Sequence, residues 1–88
     1  MSAHDRWQHA TAAYSLLYRA LDANATDGSW ALSLAAERCR RAGDPDLGDD
    51  IEELADDWSP ADSDIRAMLD RVAELGARLE RETLGWHG

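Results

Sequence analysis

Acidic side chains crowd the middle of the chain. From Asp44 to Asp64 there are ten carboxylates, on Asp44, Asp46, Asp49, Asp50, Glu52, Glu53, Asp56, Asp57, Asp62 and Asp64, and no Arg or Lys among them. The 88-residue chain has a net charge of −9, so this stretch accounts for all of it and the remainder is close to neutral. Carboxylates at this density could hold a hard cation, form an acid and base pair, or attract a basic partner, and their spacing separates these uses.

The calcium reading fails on register. With Asp44 as the first ligand of an EF-hand loop, Asp46 and Glu52 fall near the required offsets. The fifth position, however, is Gly48, the sixth is Asp49 where a glycine must make the turn, and the twelfth is Ala55 instead of a bidentate glutamate. No apolar segment interrupts the stretch to wall a pocket around a carboxylate pair. Elsewhere, Asp5 and His9 lie one helical turn apart with His4 adjacent, but no third ligand stands at a fixed spacing, and His87 is at the opposite end of the sequence. Cys39 has Arg38 and Arg40 as neighbours, which would favour a thiolate, yet it falls on an apolar stripe and reads first as a small core residue. The sequence therefore predicts no catalytic residues, no metal, no cofactor and no enzymatic activity.

A basic partner is the remaining use, and the placement of the acids supports it. Asp46 with Asp50, Asp49 with Glu53, Glu52 with Asp56 and Glu53 with Asp57 are like-charge pairs at i,i+4 on a helix. Each costs on the order of 0.2 to 0.5 kcal/mol. Asp56 and Asp57 also meet the negative end of that helix, for a total penalty of roughly 1 to 3 kcal/mol. A surface kept only for solubility would not need such placement, although Arg38, Arg40 and Arg41 across the preceding turn could neutralise part of it. The expected binding surface is Asp46, Asp49, Asp50, Glu52, Glu53, Asp56, Asp57, Asp62 and Asp64, and the expected partner is a basic protein. If that protein's groove normally holds nucleic acid, the carboxylates would stand in for phosphates, whereas direct binding to DNA or RNA is opposed by the same charge. No family is recognisable in the sequence; small acidic inhibitors of nucleic-acid-processing machinery, including phage proteins that block host defence, share only this composition, and the expected role is to inhibit or regulate the partner.

Four amphipathic helices position these residues. Trp7, Ala10, Tyr14, Leu17, Tyr18 and Leu21 form one stripe and predict a helix over 5–23. Asn24 to Gly28 has a turn composition, and Ser29 is then an N-cap for a second helix over 30–42, with stripe Ala31, Leu34, Ala35, Cys39 and Ala42 and its stop at Gly43. Asp44-Pro45 opens a third over 45–58, or Gly48 delays it to Asp49, with Leu47, Ile51, Leu54, Ala55 and Trp58 inward. Ser59-Pro60-Ala61-Asp62 opens the longest over 60–84, lined by Ile65, Met68, Leu69, Val72, Leu75, Leu79 and Trp86, with Glu74, Arg78 and Glu82 spaced to pair on its other side. Short links between such helices favour antiparallel neighbours and predict an all-α bundle of about four helices, or an irregular orthogonal version of it. In that longest helix Ile65, Val72, Leu79 and Trp86 recur every seven residues, which supports a second reading: a self-associating structural or adaptor subunit that pairs with a second copy along this seam, with Gly76 allowing close approach. The plainer reading is that the seam is the bundle's own core. Trp7, Trp30, Trp58 and Trp86 each fall near a predicted helix end, as core closures or as exposed anchors.

Composition bounds the rest. A chain of 88 residues with 44% apolar content predicts one folded domain over 1–88, and a single cysteine rules out an intrachain disulfide. His4, Asp5, Arg6 and Gln8 interrupt any signal-peptide core, and no run of 18 apolar residues occurs, so the expected location is the cytoplasm, away from membranes. Asn24-Ala25-Thr26 is then a sequon only by coincidence. All nine basic residues are Arg, the mark of a GC-rich genome.

Overall fold

The computed structural model describes residues 2–23, 25–56 and 62–84, and these form four helices and no strand. They are α1 (Ala3–Ala20), α2 (Ala25–Arg41), α3 (Pro45–Asp56) and α4 (Asp62–Leu84). The protein is an all-α four-helix bundle, and α4, with 23 residues, is its longest element. No described helix is long and apolar enough to cross a membrane.

Local chemistry sets most of the ends. Ser2 caps α1, its hydroxyl accepting from the Asp5 amide at 3.2 Å. At the end of α2, Gly43 takes φ +96°, its amide donates to Arg40 O, and the Asp44 amide donates to Cys39 O, the paired bonds of a Schellman turn. Asp44 at once caps α3, its carboxylate accepting from the Leu47 amide at 3.1 Å, with Pro45 in the first helical position. A three-residue link, Ala42 to Asp44, is thus enough to reverse the chain. Arg6 of α1 donates to Ala42 O at 2.8 Å and fastens this turn to the start of α1.

Two expected boundaries move. Helix α2 begins at Ala25, so Thr26, Asp27 and Gly28 are helical rather than a turn, and Ser29 is no cap. Gly28 is buried within the helix, and the Ser29 hydroxyl donates to Ala55 O at 3.0 Å, satisfying one of the last carbonyls of α3. Tertiary packing here overrides turn composition. Gly48 does not delay α3 either: a Cβ there would stand 2.8 Å from Ala36 O and 2.8 Å from Arg40 Cγ, so the glycine lets α3 lie close on α2. The Ser59 to Ala61 part of the expected opening of α4, Asn24, and the residues Asp57, Trp58, Trp86 and His87 lie outside the described residues.

Neighbouring helices run antiparallel. Arg6 at the start of α1 reaches Ala42 after α2, Ser29 in α2 reaches Ala55 in α3, and Asp50 in α3 reaches Arg71 in α4. Helix α1 packs along both α2 and α4, α2 also along α3, and α3 meets α4 only at a thin margin. The overall extents are 45 × 20 × 17 Å. One core draws on all four helices: Ala10, Ala13, Leu17 and Ala20; Ala31, Leu32, Ala35, Ala36 and Cys39; Leu47, Ile51 and Ala55; Ile65, Leu69, Val72, Leu75 and Leu79. The stripe on α1 is therefore rotated from the expected one. Tyr14 and Tyr18 are 41% and 60% exposed, and alanines take the inward positions, so that α1 approaches its neighbours closely.

Candidate functional site

Helix α3 turns Leu47, Ile51 and Ala55 into the core and its carboxylates outward. The carboxylates divide into two kinds by the cations that reach them. On the flank towards α2, Arg40 Nη2 donates to Asp49 Oδ1 at 3.0 Å and to Glu52 Oε2. Those two hydrogen bonds, Glu52 first, raise the pKa of the Arg40 guanidinium. On the flank towards α4, Arg71 donates to Asp50 Oδ2 at 2.6 Å. Three of the nine predicted binding residues thus tie α3 to its neighbours. Arg71 is a partner that sequence reasoning missed, because it stands 21 positions from Asp50 and no local spacing announces the pair.

Asp46, Glu53 and Asp56 are the remaining outward carboxylates of α3, Asp46 and Glu53 on one line two turns apart and Asp56 on the side of Asp49 and Glu52. All three are exposed and make no ion pair with another described residue. The last turn of α3 has no basic residue, so Asp56 meets the negative end of the helix without a counter-charge. Asp62 and Asp64 are exposed in the first turn of α4, the favourable end for a carboxylate. Of the other two arginines near the turn, Arg41 pairs with Glu37 at 2.9 Å and Arg38 contacts His9 Nδ1 at 3.0 Å, so of these three arginines Arg40 alone reaches the acids of α3.

The other chemical candidates are occupied elsewhere. His4 contacts Gln8 at 3.3 Å and stacks on Trp7 at 5.9 Å, and among the described residues no three His, Cys, Asp or Glu side chains gather to hold a metal ion. Cys39 is buried, and its thiol is pushed up from 9.0 to about 12, by burial first and then by the Asp44 charge, against the smaller pull of Arg71 and Arg40. Flanking arginines do not make it a nucleophile because burial outweighs them. The α4 seam is spent inside the chain: Ile65, Val72 and Leu79 are buried against the other helices and are not offered to a second copy. The expected pairs of Arg78 with Glu74 and Glu82 are not formed. Arg78 instead lines a cleft of about 300 Å³ with Asp44, Arg71, Glu74, Leu75 and Arg81.

No protein-family model, curated protein or solved structure matches the chain.

Proposed function

We propose that the outer face of α3 is a docking surface for a basic protein and that the chain acts by occupying that partner's cationic groove. One observation carries the reading: Asp46, Glu53 and Asp56 are exposed and unpaired among the described residues, while Arg40 and Arg71 are directed to their neighbours Asp49, Glu52 and Asp50. The flanking pairs hold α3 in place and leave these three carboxylates unneutralised, with Asp46 at the favourable end of the helix and Asp56 at the opposed one. A set of fixed charges steers association and confers specificity, at an energetic cost to the free protein. A groove that normally holds nucleic acid is the finer form of the reading, and there the chain would inhibit by competing with DNA or RNA. No catalytic step enters this proposal.

The test is capture from a cell lysate by the wild-type chain and by an Asp46→Asn, Glu53→Gln, Asp56→Asn variant. A basic protein retained by the wild type, lost by the variant and released by moderate salt is the expected result. Equal retention by both chains refutes the proposal, as does the absence of any basic protein.

A further inference from the structure

The outer groove between α1 and α4 has no assigned occupant. It measures about 300 Å³ and is lined by Ala10, Thr11, Tyr14 and Ser15 of α1 and by Val72, Ala73, Gly76, Ala77 and Glu80 of α4. Gly76 has no role inside the chain, since a Cβ there would meet nothing within 4 Å. A glycine at mid-helix in the longest element weakens it, and here the fold draws no close approach from it. Tyr14 stands at the rim, 41% exposed, an amphipathic ring of the kind enriched at protein contacts.

The charges along this flank specify an occupant. Arg66, Ala73 and Glu80 recur every seven residues along one line of α4; Ala73 and Glu80 line the groove, Arg66 continues that line beyond it, and all three are exposed. Neither Arg66 nor Glu80 has an ion pair with another described residue. Arg66 lies as far before Ala73 as Glu80 lies after it, about 10 Å along the axis at 1.5 Å per residue. When two copies of α4 are laid antiparallel about a twofold axis through Ala73, each Arg66 comes opposite the other copy's Glu80, on both sides of a centre made of alanines and glycine. A twofold contact requires this kind of self-complementarity.

We infer that this groove is the interface of an antiparallel homodimer, with Ala73 on the twofold axis, Gly76 and Ala77 permitting close helix approach, Tyr14 covering the partner helix and two Arg66 to Glu80 pairs fixing the register. The seam differs from the buried Ile65, Val72, Leu79 row and leaves the core of each copy intact. Net charge does not forbid it. The net charge is greatest on α3, where six acids stand without a basic residue, whereas α4 sets four arginines against its six acids; α3 packs on α2 and meets α4 only at a thin margin, away from this groove. The bundle is 17 to 20 Å thick, more than the screening length of about 8 Å at physiological salt. A dimer formed this way would present two α3 faces outward. The inference does not depend on the proposed docking function, because its residues and its readout are different.

Sedimentation equilibrium at micromolar concentration tests it. The wild type is expected at twice the 9.7 kDa chain mass. Ala73→Glu, a surface change to a good helix former, should give a monomer with unaltered circular dichroism. Arg66→Glu and Glu80→Arg should each weaken the dimer by on the order of tenfold, because each sets like charges opposite on both sides of the axis. The double exchange, Arg66→Glu with Glu80→Arg, should restore it. A wild type at 9.7 kDa over that range overturns the proposal. So does a dimer indifferent to Ala73→Glu, or single exchanges that the double exchange does not rescue. The Asp46, Glu53, Asp56 variant should keep the wild-type mass, so failure at either surface is read separately.

Discussion

Burial controls what Cys39 can do. Its sulfur has no exposed surface, and the thiol holds its proton up to about pH 12, against 9.0 for an ordinary cysteine. Since the thiolate is the reactive species, a small thiol reagent at pH 8 should leave the folded protein unmodified and label it only as the chain opens, with full labelling in denaturant. Rapid labelling under native conditions would contradict the buried position. The same group makes stability depend on pH in one direction. The folded thiol keeps its proton to higher pH than the unfolded one, so its contribution is intact below about pH 9 and is lost as pH rises from there towards 12. The loss is on the order of 1 kcal/mol per pH unit, and Cys39→Ala should remove it from the urea-denaturation profile.

At the scale of elements, two helical glycines behave oppositely. Gly48 stands where α3 presses on α2, and Gly48→Ala would drive a methyl group into Ala36 O and the Arg40 stem, both at 2.8 Å. Overpacking of about 1 to 3 kcal/mol is only partly offset by a helix-propensity gain of about 1 kcal/mol, so the variant should unfold at lower urea. It should also displace Arg40 from Asp49 and Glu52. Gly76→Ala meets nothing within the chain and should stabilise the monomer by about 1 kcal/mol. Stabilisation by Gly48→Ala would mean that α3 has room to move off α2. The sequence could not separate these two residues, because each is a glycine within an amphipathic run and only the neighbouring helix distinguishes them. It did disclose the Gly43, Asp44, Pro45 reversal, where every bond joins residues within a few positions. The stripe of α1 was misplaced for a physical reason. Weighting by side-chain size favoured Tyr14 and Tyr18, whereas close helix packing favoured Ala13 and Ala20. The start of α2 was hidden in the same way, since Ser29 finds its partner in Ala55 rather than in its own first turn.

At the scale of the whole molecule, the acids hold α3 to its neighbours and also strain it. The concentration of charge was legible in the sequence because composition alone carries it, and so was half of its neutralisation, since Arg40 stands one turn before α3. The Asp50 to Arg71 bond was not, because it depends on how α4 returns beside α3. This division predicts opposite effects from chemically identical changes. Glu53→Gln with Asp56→Asn removes the like-charge pairs Asp49 with Glu53 and Glu52 with Asp56, and relieves the unfavourable charge at the end of α3. The expected gain is about 1 kcal/mol at low salt. Asp50→Asn breaks a partly exposed ion pair and should lose roughly 0.2 to 1 kcal/mol. Urea unfolding of the three chains measures both, and in 1 M salt, where the screening length is about 3 Å, the gain should shrink most. If Glu53→Gln with Asp56→Asn instead destabilises the protein, those carboxylates are satisfied within the fold. The outward carboxylates would then cost the free protein nothing, and the proposed docking function would lose the observation on which it rests.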